Sequence, residues 1–148
     1  GGFYRSRDGG ATWDFLYDCY CRACWVDPAD PQHIVLGPAD DVSRNGRIEE
    51  SRDGGQTWVD ASTPLATPWP EEMIEWFVPV EDMLIAVCSD GRLFRSHSDT
   101  THWEPFLPQI SSARMAVFAE QEARMEPERQ MRKTDSGVPP RTVDGEIS

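Results

Sequence analysis

Residues 6 to 13 read SRDGGATW and residues 51 to 58 read SRDGGQTW, seven identities in eight positions at a spacing of 45. A fixed period of about 20 to 50 residues marks a chain built from stacked copies of one supersecondary unit, and few architectures accommodate it. A worn third copy lies one period further on. It reads SHSDTTHW from Ser96 to Trp103, with Ser98 where the second copy has Asp53 and Thr100 where it has Gly55. Upstream, GGFYRS, GRIEES and GRLFRS end at Ser6, Ser51 and Ser96, so Gly1, Gly46 and Gly91 hold one repeat position.

The box has the composition of a tight turn between two strands. Ser6 and Ser51 end an incoming strand, and Asp8 and Asp53 can accept hydrogen bonds from the backbone N–H groups of the turn. Gly10 and Gly55 supply a positive φ that a Cβ would penalise. Thr12 and Thr57 open the return strand, and Trp13 and Trp58 beside them bring a large apolar face with an indole N–H for the rim. In the third box Ser98 carries no carboxylate and Thr100 adds a Cβ, so a looser turn is expected there unless Asp99 substitutes. Trp103 is still expected to pack.

These residues resemble the Asp-box, or BNR repeat, whose pattern is S-x-D-x-G-x-T-W; the first two copies match it at every specified position. The resemblance covers residues 1 to 119 and implies an all-β fold, a β-propeller of four-stranded antiparallel blades like that of the sialidase-like propellers. In such a blade the box turns the chain from third to outer strand, and a period of 45 fits one blade. The box residues are then structural, and the ligand face lies at the opposite end.

The strands can be laid on that frame. In the first complete blade the inner strand falls near Asp18 to Val26, HIVLG is the second, GRIEES the third and TWVDA the outer one. In the next, the inner strand falls near Met73 to Val80, followed by MLIAVCS, GRLFRS and HWEPF. Gly1 opens a third strand, so the first blade is represented by half its strands. Ser111 to Glu120 reads as the inner strand of a further blade, with a helix from Ser112 to Met125 as the alternative. Residues 120–148, poor in large apolar side chains, read as a flexible polar tail or frayed helix. Two full blades and parts of two more make a partial propeller, since closed ones use about four to eight. The missing blades of a longer chain, or self-association, are the expected completions.

Composition narrows the partners. The chain has 26 acidic against 14 basic residues and a formal charge of −12, which repels phosphate backbones and anionic membrane surfaces. Nucleic acid and membrane are therefore not expected partners. No apolar run approaches the roughly 18 residues of a membrane helix, and GGFYRSRDGG is not a signal segment. A free-thiol reading of the cysteines mildly favours a reducing compartment and does not fix one.

Chemistry-bearing residues are sparse. Cys19, Cys21 and Cys24 form C-x-C-x-x-C, but strand alternation sends Cys24 to the other face, so no metal site is expected. Buried thiols are the favoured reading, with a disulfide open, and Cys88 lies in the next blade. His33, His97 and His102 are scattered and read as turn or surface histidines. Asp40, Asp41, Arg44 and Trp69 fall on loops that share one propeller face, and are the candidate ligand site; Glu71 and Glu72 lie in the loop entering an inner strand. Glu49 and Glu50 read as rim charges. No catalytic constellation and no cofactor motif is visible.

Two function classes follow. The first is a non-catalytic propeller module, a binding or assembly scaffold presenting its loop face to a protein or carbohydrate. The second is a fragment of a sialidase-like or other glycoside hydrolase, whose site would combine an arginine cluster with a tyrosine and glutamate pair. The chain shows no Arg-Ile-Pro strand, and Tyr4, Tyr17 and Tyr20 have no glutamate close in sequence.

Overall fold

Each intact box joins two short strands, and the strand order grows outward from those turns. The computed structural model describes residues 1–99, 102–110 and 113. The strands are β1 (Phe3–Arg5), β2 (Asp14–Tyr17), β3 (Tyr20–Val26), β4 (Ile34–Ala39), β5 (Glu49–Ser51), β6 (Val59–Asp60), β7 (Ile74–Val80), β8 (Met83–Cys88), β9 (Leu93–His97) and β10 (Glu104–Phe106). They form three antiparallel sheets: β1–β2, β3–β4–β5–β6 and β7–β8–β9–β10. In every sheet, neighbours in sequence are neighbours in space. No helix occurs among the described residues.

Burial is graded across each four-stranded sheet. The second strands, β4 and β8, are buried along almost their whole length, whereas β6 and β10 are mostly exposed. Their aliphatic runs, IVL in β4 and MLIAV in β8, suit positions covered on both faces. The two four-stranded sheets meet through β3 and β7. Between them lies a core that includes Ala23, Val35, Ile74, Leu84, Phe94 and Trp103.

The expected strands are present with trimmed ends. The strand expected from Asp18 begins at Tyr20, and a register irregularity between Cys21 and Cys24 interrupts its pairing with β4. The expected strand at Ser111–Glu120, its helical alternative and the tail 120–148 lie outside the described residues, Ala113 excepted. So do Thr100 and Thr101 of the third box.

Candidate functional site

The two intact boxes fold to the same hydrogen-bond network. Ser6 Oγ accepts from Gly10 N at 2.7 Å and Ser51 Oγ from Gly55 N at 2.8 Å; each serine hydroxyl donates to its aspartate at 2.8 Å. Asp8 Oδ1 accepts from Thr12 N at 2.9 Å and its Oδ2 from Thr12 Oγ1 at 2.7 Å. Asp53 does the same with Thr57 at 2.9 and 2.6 Å. The threonine hydroxyl and amide, with the serine, hold Asp8 down to about 2 from the usual 3.8 and hold Asp53 lower still. The side-chain oxygens of the serine, aspartate and threonine are all spent on closing the turn.

The indole N–H does not go to the rim. Trp13 and Trp58 each donate Nε1 to the carbonyl of the box glycine, Gly10 or Gly55, at 3.1 Å. Gly10 and Gly55 sit at φ 94° and 95°, where an L side chain is strained. A Cβ on Gly55 would also stand 2.6 Å from Leu16 Cδ1, because this turn is seated against β2. In the third copy Ser96 is buried and donates instead to the His97 carbonyl at 3.1 Å, and Trp103 is buried with its Nε1 unpartnered.

The candidate ligand residues lie at the other end of the sheets. Ile34 pairs with Ser51 at the box end of β4, so Ala39, Asp40 and Asp41 stand at the opposite end. A cleft of about 320 Å³ opens there, lined by Gly1, Asp18, Cys19, Tyr20, Ala39, Asp40, Asp41 and Arg47. Arg47 organises it: Nε donates to Glu49 at 2.6 Å, Nη1 to Asp40 at 3.3 Å and to the Asn45 carbonyl at 3.2 Å, and Nη2 to Tyr17 Oη at 3.0 Å. Asn45 Nδ2, then Arg47, keep the Asp40 carboxyl below its ordinary range. At neutral pH Asp40 is an acceptor for hydroxyl or amino groups and cannot serve as a proton donor. Asp41 and Arg44 close the loop through backbone bonds, Arg44 N to the Asp41 carbonyl at 3.1 Å and Asp40 N to the Arg44 carbonyl at 2.9 Å.

Trp69 joins this end from below. Its backbone exchanges two hydrogen bonds with Gly46, 2.8 and 3.1 Å, while Gly46 N also donates to the Glu72 carbonyl. A Cβ at Gly46 would stand 2.2 Å from that carbonyl, so only glycine lets the two loops close. The Trp69 ring is buried, stacked on Phe94 at 5.7 Å, and Arg92 lies over both rings. Asp40, Asp41 and Arg44 are thus grouped on the surface, with the Trp69 ring beneath it in the core.

Several charged residues sit deeper than their types suggest. His33 is fully buried, with Nε2 3.1 Å from Glu50 and Nδ1 3.6 Å from Asp27, so the surface reading of this histidine is corrected. Glu49 and Glu50 are partly buried partners of Arg47 and of His33 with Arg52, rather than free rim charges. All four cysteines are free. Cys19 hydrogen-bonds Cys21, which raises the Cys19 thiol and lowers Cys21 to about 7. Burial raises Cys88 to about 11. Among the described residues, no three His, Cys, Asp or Glu side chains are grouped to hold a metal ion, and no helix is long and apolar enough to cross a membrane.

Sequence reasoning missed two features. Arg47 was discoverable, because it and Arg92 share the position after the repeat glycine, and each ties down an acidic loop residue, Asp40 or Asp90. The other is a cluster on β3 and β7. Arg22 Nη1 meets both Glu75 carboxylate oxygens at 2.9 Å, and Arg22 Nε donates to Tyr20 Oη at 3.0 Å. A tyrosine, an arginine and a glutamate are brought together across two sheets, beside a cavity of about 240 Å³. No family model matches the chain, and no curated protein is significantly similar to it.

Proposed function

We propose that the chain is a partial β-propeller, two complete blades preceded by half of one, acting as a non-catalytic binding or assembly scaffold. The observation that carries this reading is the repetition itself. Two box turns with one hydrogen-bond network stand at the same place in consecutive sheets, and the inner strands β3 and β7 pack side by side. In a propeller this geometry leaves the opposite loop end free for ligands. That end offers carboxyl acceptors, Asp40 and Asp41, beside the exposed Arg44 guanidinium, a set that suits sugar hydroxyls or polar protein groups.

A glycosidase reading has one observation in its favour, the Tyr20, Arg22 and Glu75 cluster. There the arginine is occupied on two oxygens by Glu75, so it serves as a clamp between strands and would need to be released to take a substrate carboxylate. The two readings part in one experiment: the chain is applied to a glycan array and assayed in parallel against a fluorogenic sialoside. Glycan binding that is lost in Asp41→Ala and Arg44→Ala, with no turnover, is the expected result. Turnover abolished by Glu75→Gln would overturn the scaffold reading, and so would an array on which the wild type and both variants behave alike.

A further inference from the structure

The repeat also states what each sheet wants on its flank. Trp13, Trp58 and Trp103 hold one repeat position, yet their surroundings differ. Trp58 stacks on Tyr17 at 5.4 Å and meets Phe3 edge-on at 5.7 Å, both from the preceding sheet. Trp103 is 0% exposed, in a core with Ile48 and Ala61, which flank β5 and β6 of the preceding sheet, and its backbone N–H donates to the Thr63 carbonyl at 3.1 Å while its indole N–H stays unpartnered. One contact is therefore made twice within the chain: the box tryptophan of each sheet docks on the sheet before it. Among the described residues Trp13 has no such cover and is 62% exposed, and Tyr4 and Phe15, in contact with each other, are each more than half exposed.

The receiving positions can be traced by the same period. Tyr17, which takes Trp58, corresponds one and two periods later to Ser62 and Leu107. Leu107 is 36% exposed and Ile110 close by is 41% exposed, an apolar edge at the far flank, whereas Leu93, the counterpart of Phe3 and Ile48, is buried. Arg5 donates from that same side to the Gly54 carbonyl of the next box at 2.9 Å. Its counterpart two periods on is Arg95, whose Nε donates to Glu104 at 2.6 Å and which lines a cavity of about 360 Å³ with Met83, His97 and His102, so reaching another copy would use its Nη groups. Among the described residues the chain thus carries an exposed knob on one flank and, at Leu107 and Ile110, an exposed apolar edge on the other, and the two are related by the repeat that already joins its own sheets.

We infer that copies of this chain associate head to tail, with Trp13 of one copy docked on Leu107 of another and Arg95 reaching the Gly9 carbonyl as Arg5 reaches Gly54. The interface is heterologous, so it propagates into a ring or an open string of copies. A two-fold dimer would pair like flanks and use neither match. The inference rests on the proposed repeat reading for the equivalence of the three sheets.

The test uses two variants, each blocked on one flank: Trp13→Arg and Leu107→Arg. Light scattering after size exclusion should show the wild type growing in mass with concentration and each variant monomeric. Mixed in equal amounts, the variants should give a complex of twice the monomer mass, because each keeps the flank the other lacks. Phe15→Lys, at an exposed position, repeats the first block should Trp13→Arg fail to fold. A monomeric wild type with a cooperative melt overturns the docking alone. A wild type without a cooperative melt overturns the repeat reading with it. Variants that oligomerise like the wild type, or do not pair when mixed, also overturn the inference.

Discussion

Ser51 and Ser6 occupy the same motif position with the same partners, and differ in what surrounds them. Ser51 is 1% exposed and its Oγ accepts from the buried amide of Gly55, so alanine there leaves a donor with no water to replace the lost acceptor. An unsatisfied buried donor costs about 1–3 kcal/mol. Ser6→Ala opens an exposed turn in which water can take the amide, and should stay within about 0.5 kcal/mol. Urea unfolding of the two variants checks this, and equal losses would mean that the turn, not its burial, sets the cost. The aspartates set a pH dependence of definite sign. A carboxyl lower in the folded chain than in the unfolded one contributes stability above its unfolded value and loses it as pH falls through the folded one. For Asp8 that window runs from 3.8 down to about 2, and Asp53 extends it lower. The urea midpoint should fall across this range, and Asp53→Asn should flatten the fall; an unchanged slope would remove the box from the acid response.

At the scale of the element, the box tryptophans form a graded series on one scaffold. Trp103→Ala empties a fully buried site and should cost about 3–5 kcal/mol. Trp58→Ala should cost less, because its ring is only partly covered, and Trp13→Ala should lie within about 0.5 kcal/mol when measured at concentrations where the chain is monomeric. Thermal or urea melts of the three variants read the order directly, and three equal losses would show that the ring acts through its own turn. Strand order was legible in the sequence because the box is local chemistry: a serine, an aspartate and a glycine close the same turn wherever they stand. Long-range placements were not. Trp69 is buried because Gly46 admits the loop that carries it and Phe94 receives its ring, and neither is near it in sequence. His33 reads as polar until Asp27 and Glu50 close over it. Arg22 and Glu75 are 53 residues apart, a spacing the 45-residue period does not contain, since loops of different length precede β3 and β7.

For the molecule as a whole, a chain of similar sheets in contact with their neighbours should not open uniformly. Stability in such an array is a sum of unit and neighbour terms, so the units with fewest neighbours open first. β1 and β2 form a two-stranded sheet with Tyr4, Trp13 and Phe15 exposed, while β4 and β8 are each paired on both sides and buried. Native-state hydrogen exchange should therefore find the slowest amides in β4 and β8, and exchange in β1 and β2 close to that of exposed turns. Exchange in β3 and β7 should rank just below the slowest, because their mutual packing closes the core through Ala23 and Ile74. If β1 and β2 instead exchange together with β4 at one common free energy, the first sheet is not a separable unit. The contacts of Trp58 with Phe3 and Tyr17 would then bind it into the core as firmly as Trp103 binds the last.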